Sequence, residues 1–273
     1  MRFSQLSALG VAAVVMAVGM PAASAADEAT VSVLHAIPMG SGADVVDVYA
    51  GDTLLIDNFT PGTLKTMMVP AGSYDLAVYA DGQGPGNGTA VLSAPGTAVP
   101  AGANATVTAN LTEAGQPALN VFVNDTSAVA AGQGRLTVRH IAAAPAVDVK
   151  ANDAVAFSNL ANPNEAKADL PAGTISASVV LAGTDTVAIG PADVAVKEGA
   201  NTIAYAWGSA QGGSLAVATQ VIEGTMNSAP HGVPAGDGSL ADAGGVQVGW
   251  ILAGAAAVAV LLAMGRRSVA RSR

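Results

Sequence analysis

The chain has 273 residues, contains no cysteine, and is 51% hydrophobic with only 4% aromatic residues. The lack of cysteine excludes disulfides and thiol chemistry, and the scarcity of aromatic residues means that any core is built mainly from alanine and valine. The net charge of −9 argues against nucleic-acid binding, because an acidic surface repels the phosphate backbone.

The first 25 residues predict a secretory signal peptide. Arg2 precedes the apolar run LSALGVAAVVMAVGM, and the segment ends in ASA, the small-residue pattern of a cleavage site. The mature chain is therefore expected to begin near Ala26. An uncleaved N-terminal anchor is the alternative, and the well-formed cleavage pattern favours the signal peptide.

From residue 26 to residue 223 the sequence predicts antiparallel β-structure. Short valine-rich runs such as TVSVLHA, DVVDVYA, SYDLAVYA and ATVTANL alternate with glycine, proline, asparagine and aspartate. No stretch in this range has a sustained apolar period of 3.6 residues, so helices are not expected there.

An internal repeat divides this region in two. A shift of 101 positions aligns Val45–Gly82 with residues 146–183 without a gap, and 11 of the 38 positions are identical. The aligned copies predict two tandem domains, residues 29–125 and 134–223, each of seven to nine strands. We expect an immunoglobulin-like antiparallel β-sandwich for each; a closed barrel is the alternative.

The C-terminal part predicts a membrane anchor. Residues 224–245 have the composition of a flexible stalk, and residues 246–265 are twenty residues without a charge. Twenty helical residues span a hydrocarbon core of about 30 Å. The four arginines of residues 266–273 predict a cytoplasmic tail by the positive-inside rule.

The part expected outside the cell is more acidic than the whole chain. All 20 acidic residues but only six of the 11 basic residues lie between Asp27 and Asp242, which gives this part a net charge of −14. Such a surface repels nucleic acid and anionic lipid, so nucleic acid is excluded as a partner. The membrane is a predicted partner through the single-pass anchor.

Several residues of the repeat have the properties of turns. Gly51-Asp52 and Asn152-Asp153 separate two strand-like runs in each copy, and glycine and asparagine tolerate the positive φ that two-residue hairpins require. The Pro-Ala-Gly segments of the two copies predict further turns, with Pro70, Gly72, Pro171 and Gly173 as the key residues.

Asp47 and Asp148 are the strongest candidates for a structural or ligand-binding region. Each lies in the middle of a predicted strand, where aspartate is uncommon, and each copy also has a histidine, His35 or His140. The carboxylate either accepts backbone N–H groups of a neighbouring loop or binds a metal or other ligand. One aspartate and one histidine fall short of a usual metal-ligand set, which favours the structural role.

The order of these motifs resembles a known family, the domain of unknown function 4397, which occurs in bacterial exported and surface proteins. His35, Val46-Asp47-Val48-Tyr49, Phe59, Gly62 and Val69-Pro70-Ala71-Gly72 match its pattern in the first copy. His140, Pro145, Val147-Asp148-Val149 and Pro171-Ala172-Gly173 match in the second copy, although Lys150 and Leu160 replace the tyrosine and the phenylalanine. The resemblance implies exported tandem β-domains and implies no enzymatic activity.

We therefore expect a non-enzymatic protein of the bacterial envelope, anchored in the cell membrane by a single span with its N-terminal domains outside. Its two β-sandwiches are expected to serve binding, adhesion or spacing, with an envelope polysaccharide or protein as partner. No catalytic residue, metal or cofactor is assigned. The alternative is a surface hydrolase or a metal-dependent carbohydrate-binding protein that uses the region of Asp47 and His35 and its copy.

Overall fold

The computed structural model describes residues 28–224, and the regular structure in this range is entirely β-strand. In chain order the strands are β1 (Glu28–Ala36), β2 (Val46–Ala50), β3 (Thr53–Phe59), β4 (Leu64–Pro70), β5 (Gly72–Ala80), β6 (Leu92–Val99), β7 (Asn104–Leu111), β8 (Pro117–Val123), β9 (Gln133–His140), β10 (Val147–Ala151), β11 (Ala154–Leu160), β12 (Glu165–Pro171), β13 (Gly173–Leu181), β14 (Val187–Val196), β15 (Asn201–Trp207) and β16 (Ala216–Ile222). The predicted all-β class is confirmed for these residues.

The predicted signal peptide, the stalk beyond residue 224, the transmembrane segment at 246–265 and the basic tail at 266–273 all lie outside the described residues. Within residues 28–224, no helix is long and apolar enough to cross a membrane.

Each repeat is a β-sandwich of two four-stranded sheets. In repeat 1 (β1–β8) the orders are β4-β1-β7-β8, the inner sheet, and β3-β2-β5-β6, the outer sheet. In repeat 2 (β9–β16) the inner sheet is β12-β9-β15-β16 and the outer sheet is β11-β10-β13-β14. The second repeat thus copies the strand order of the first.

The strand order is not the immunoglobulin-like one expected from the sequence. In an immunoglobulin sandwich the first two strands, A and B, share a sheet. Here β1 and β2 lie in opposite sheets, and β1 pairs in parallel with β7. β9 pairs in parallel with β15 in the same way. Alternating valines indicate a strand but do not indicate which sheet the strand joins.

Three hydrophobic clusters stabilise the structure. The first lies between the two sheets of repeat 1 and includes Val33, Val48 and Phe59. The second occupies the corresponding place in repeat 2. The third joins Leu34 and Ala36 of repeat 1 to Ile203, Tyr205 and other residues of repeat 2, so the two inner sheets pack against each other.

The central strands of the inner sheets are buried on both faces. Nearly every residue of β1, β7, β9 and β15 is buried, because one face lies against the repeat's own outer sheet and the other faces the second repeat. The outer sheets are more exposed at their edges, as at β11, where Leu160 is the one buried residue. The strand pairs and the three clusters of the described residues connect Glu28 to Ile222, so this segment packs on itself as one compact unit.

Candidate functional site

Asp47 lies on β2 and holds the end of β3 and the turn after β5 in place. Its side chain is buried, with the residue 3% exposed. Oδ1 accepts the backbone N–H of Asn58 at 3.0 Å, and Oδ2 accepts the backbone N–H of Gly82 at 3.0 Å. Both carboxylate oxygens therefore bond to the main chain, which is the loop-capping arrangement that the sequence favours.

Asp148 makes the same two bonds in repeat 2. Its Oδ1 accepts the N–H of Asn159 at 2.7 Å, and its Oδ2 accepts the N–H of Gly183 at 2.9 Å. These backbone hydrogen bonds, that from Asn159 foremost, hold the pKa of the Asp148 carboxyl below its usual range because they stabilise the charged form. The recurrence of both bonds indicates that this aspartate specifies the fold of each repeat.

Asn58 and Asn159 complete this arrangement, and sequence reasoning did not assign them a role. Both adopt a left-handed backbone conformation with φ of 52°, near a register shift between the second and third strands of each repeat. Asparagine tolerates this conformation better than most residues. Their identity in the two copies was the signal in the sequence, because the left-handed turn points each N–H at the aspartate.

His35 and His140 serve loops of their own and make no hydrogen bond to the aspartates. His35 Nε2 lies 2.8 Å from the carbonyl oxygen of Ala43, and His140 Nε2 lies 2.9 Å from that of Pro145. In each case Nδ1 accepts a backbone N–H two residues ahead at 3.4 Å. The bonding pattern assigns a neutral ring that carries its proton on Nε2. Both histidines are 1% exposed, and this burial lowers their pKa below the ordinary value.

The buried histidines predict a loss of stability in mild acid. Because the pKa of each is lower in the folded than in the unfolded chain, the unfolded chain binds more protons as the pH falls below about 6.5. We expect the free energy of unfolding, measured by urea denaturation, to fall from pH 7 to pH 5. The variant His35→Gln/His140→Gln, which cannot titrate, should show a flatter profile. A wild-type stability that is constant or rises over this interval would contradict the assignment.

Three carboxylates of repeat 1 approach one another at the edge of this region. One oxygen each of Asp47, Asp57 and Asp81 lies within 4.8 Å of the others, with Asp47 buried and the other two exposed. Oxygen ligands of this kind suit a hard divalent cation. Repeat 2 does not keep the cluster, because Ser158 and Ala182 occupy the positions of Asp57 and Asp81. Among the described residues the cluster is therefore a feature of repeat 1 and not of the repeated fold.

Substitution of Asp47 separates capping from metal binding. We expect Asp47→Asn to lower the free energy of unfolding by about 1–3 kcal/mol, because the neutral amide offers one acceptor oxygen where the carboxylate offers two. The loss, followed by thermal denaturation, should be the same with and without a chelator. A divalent metal that raises the melting temperature of the wild type alone would instead identify Asp47 as a ligand.

The two hairpins predicted from Gly51-Asp52 and Asn152-Asp153 join β2 to β3 and β10 to β11. Asn152 and Asp153 both have positive φ, 49° and 64°, as a type I′ turn requires. In repeat 1 only Gly51 has positive φ, 57°, which is the pattern of a type II′ turn. The exchange of glycine for asparagine therefore accompanies a change of turn type.

Gly51→Val tests this turn. Valine at φ of 57° is strained, so we expect a loss of about 1–3 kcal/mol in the free energy of unfolding. Nothing lies within 4 Å of a Cβ built at Gly51, so the loss would come from the backbone alone. Gly51→Asn should lose less, since asparagine tolerates positive φ. Equal melting of Gly51→Val and wild type would disprove the turn.

The Pro-Ala-Gly segments form corners between sheets. Pro70 ends β4 in the inner sheet, and Gly72 begins β5 in the outer sheet. Pro171 and Gly173 have the same places at the end of β12 and the start of β13. These residues thus carry the chain from one layer of the sandwich to the other rather than closing a hairpin.

Polar side chains fill the interface between the two inner sheets. Gln220 of β16 is central: its Oε1 accepts hydrogen bonds from the hydroxyls of Thr106 and Tyr205, and its Nε2 lies 2.8 Å from Ser32 Oγ. Ser32 in turn bonds to Thr66 at 2.8 Å. Buried polar groups are tolerated when they are paired in this way, and paired groups fix one geometry.

Arg139 is the buried charge of this interface. Its side chain is 1% exposed, and Nε donates to Glu165 Oε2 at 2.8 Å. Nη1 donates to the Tyr205 hydroxyl at 2.9 Å, and the guanidinium carbon lies 4.4 Å from the centre of the Phe122 ring. Because Phe122 belongs to repeat 1 and the other residues to repeat 2, this contact joins the repeats.

Asp125 lies at the start of the linker, the segment between β8 and β9, and pairs with two cations of repeat 2. Its carboxylate lies 2.8 Å from Arg135 and also bonds to Lys167. The Lys167 ammonium, and after it the Ser127 hydroxyl, hold the pKa of Asp125 far below its usual range. Its backbone carbonyl also accepts a hydrogen bond from Asn201 at 3.0 Å. The linker is therefore part of the folded body.

Residues 29–150 match the model of a family described as Domain of unknown function (DUF4397). The match covers repeat 1, the linker and repeat 2 as far as β10, so the family resemblance seen in the sequence is confirmed there. No curated protein matches the chain.

In each repeat, the candidate aspartate and the candidate histidine of the DUF4397 pattern belong to two separate groups of contacts. The aspartate serves the ends of the third and fifth strands, and the histidine serves the loop after the first strand. Gln220 and Arg139 of the interface were not singled out from the sequence. Their signal was weak, since a lone glutamine or arginine in a strand usually faces water.

Proposed function

We propose that this protein is a non-enzymatic, membrane-anchored protein of the bacterial cell surface whose two β-sandwich repeats act as a binding, adhesion or spacer module. The observation that carries the proposal is the buried interface between the inner sheets, formed by Gln220, Arg139 and the third hydrophobic cluster. Such an interface makes a tandem pair into one stiff body. We also assign the second repeat to the same family as the first, on the internal identity.

The bonding of the titratable residues supports a non-catalytic role. Asp47, Asp148, His35 and His140 all bond to backbone groups of their own repeat. A general acid or base needs a proton-transfer atom directed at a substrate. Here the oxygen and nitrogen atoms of these four residues hold loops instead.

The membrane anchor rests on the sequence. The uncharged residues 246–265 and the arginines that follow support a single span with a cytoplasmic C-terminus and the repeats outside. An envelope polysaccharide or protein is the proposed partner of the displayed repeats.

Proteolysis of intact cells tests the arrangement. The full chain, tagged at its C-terminus, is expected to be cut within 224–245, releasing both repeats as one fragment while the tag stays protected. The tied linker at Asp125 and Arg135 should resist the protease. Cleavage between the repeats would disprove the stiff body. Digestion of the tag without permeabilisation would disprove the cytoplasmic position of the C-terminus.

A glycan array and an envelope pull-down with residues 26–223 test the binding role. Retention of one polysaccharide or protein class without change to that molecule is the expected result. Chemical turnover of a retained glycan would establish the hydrolase alternative.

The acidic cluster favours one second candidate, a metal-dependent carbohydrate-binding protein. Three carboxylates, those of Asp47, Asp57 and Asp81, have oxygens within 4.8 Å of one another and could share one cation. If this candidate holds, calcium should raise the melting temperature of the wild type and not of Asp57→Asn. Asp193→Asn, an exposed aspartate of repeat 2, is the matched control.

A further inference from the structure

Repeat 1 contains an apolar cavity of about 360 Å³ between its two sheets. Side chains of both sheets line it, among them Val48, Phe59, Leu76, Met67 and Val107. A cavity of about 150 Å³ with comparable lining stays dry and takes up benzene, and ligand pockets generally measure about 300–1,000 Å³. The cavity of repeat 1 is therefore large enough for a small apolar ligand.

The fold itself does not require this space. Repeat 2 has the same strand order, and the corresponding cavity measures only about 50 Å³. Ala109 and its counterpart Ala206 line the two cavities at equivalent positions. Unfilled apolar volume is destabilising in proportion to its size, so a space kept in one repeat and closed in the other needs an explanation beyond folding.

The cavity opens to solvent at strand β8. Val121 and Val123 line it, yet they are 48% and 73% exposed. The turn between β6 and β7, Pro100 to Ala103, forms another part of the lining. A ligand can therefore enter at this edge without separation of the two sheets.

The shape of the cavity suits an extended hydrocarbon chain. Its lining runs from Ala105 to Ala109 on β7 and from Leu119 to Val123 on β8. Four residue steps along a strand span about 13 Å, whereas facing sheets are about 10 Å apart between their backbones. The cavity is thus a slot: its length along the strands exceeds its width between the two sheets.

The two polar side chains of the lining, Tyr74 and Thr97, are already hydrogen-bonded to backbone carbonyls. The Tyr74 hydroxyl donates to the carbonyl of Pro70 at 2.6 Å, and the Thr97 hydroxyl donates to that of Ala94 at 3.0 Å. The walls thus have little to offer a polar headgroup, which would remain in water at the opening.

Charge disfavours an anionic ligand. Residues 28–125 contain nine acidic residues and a single basic one, Lys65. A free fatty acid would bring its carboxylate to this acidic surface, whereas an uncharged headgroup meets no repulsion.

We propose that the cavity of repeat 1 binds one acyl chain of a lipid with an uncharged headgroup, such as a monoacylglycerol. This goes beyond the proposed surface role and does not depend on it, since the site lies wholly within the described residues of repeat 1.

Residues 26–223 with saturated monoacylglycerols of increasing chain length test the proposal. Native mass spectrometry should show one lipid per protein, and the melting temperature should rise with lipid concentration, because a ligand of the native state stabilises it. At low salt the free fatty acid of equal length should bind more weakly than the monoacylglycerol. This difference in affinity should be smaller at high salt, because salt screens the repulsion. Equal binding of acid and ester at low salt would overturn the choice of an uncharged headgroup.

Two variants locate the bound chain. Ala109→Leu extends a side chain into the slot and should weaken monoacylglycerol binding by about tenfold or more. Ala206→Leu, its counterpart in repeat 2, should bind as the wild type does. Val107→Phe is a second filling variant in case Ala109→Leu unfolds. Absence of binding to the wild type, or undiminished binding by a folded filling variant, would overturn the proposal.

Discussion

Arg139→Ala is expected to lower the free energy of unfolding by about 2–5 kcal/mol, the range found when a large buried side chain is truncated to alanine. Arg139 has a side chain 1% exposed, and its loss leaves Glu165 without its cation and Tyr205 without a donor. The stacking on Phe122 across the interface disappears as well. Urea denaturation monitored by circular dichroism measures the loss.

Two further variants define the cause. Arg139→Lys keeps the charge but cannot bond to both Glu165 and Tyr205 with a planar fork, so an intermediate loss is expected. Lys197→Ala removes an exposed ion pair with Glu223 and should change the stability by less than about 1 kcal/mol. Similar losses for Arg139→Ala and Lys197→Ala would mean that burial of Arg139 has no energetic consequence.

Gln220→Leu is expected to lower the free energy of unfolding by about 2–4 kcal/mol. Leucine is similar in size to glutamine, but it removes the hydrogen bonds to Ser32, Thr106 and Tyr205 in a buried place. Each buried polar group left without a partner is destabilising by about 1–3 kcal/mol. Because Ser32 keeps its hydrogen bond to Thr66, the expected loss of stability is smaller than the sum over three unpaired groups.

Thr219→Ala is the matched control for Gln220→Leu. Thr219 is the neighbour of Gln220 on β16, is exposed, and points to the opposite face of the strand. Little change is expected for Thr219→Ala. A loss of equal size in both variants would attribute the effect to the strand rather than to the interface.

The all-β class and the repeat could be predicted because they depend on local patterns. Valine alternation and the Gly51 and Asn152 turns appear within short windows of sequence, and the aligned aspartates appear when the two copies are compared. The capping role of Asp47 followed from chemistry, since a carboxylate in mid-strand needs donors. The identity of those donors, the amides of Asn58 and Gly82, did not follow, because the fold brings them from 11 and 35 residues away.

The interface could not be predicted because its polar residues look like solvent-facing ones. Ser32 alternates with Val31 and Val33, and Thr106 precedes Val107, which is the pattern of a strand with one wet face. In the structure that face is buried against the other repeat, with Ser32 and Thr106 both 0% exposed. Alternation shows which residues share a face but not what covers it.

Each repeat contributes the same surface to the interface between the repeats. This surface is the face of its inner sheet that points away from its own outer sheet. Such a like-with-like contact is the geometry of an isologous homodimer, here joined into one polypeptide. Because the two halves belong to one chain, their residues can differ at equivalent places of the contact. Gln220 of repeat 2 occupies the position of Phe122 in repeat 1. A symmetric dimer of identical subunits would have the same residue at both positions.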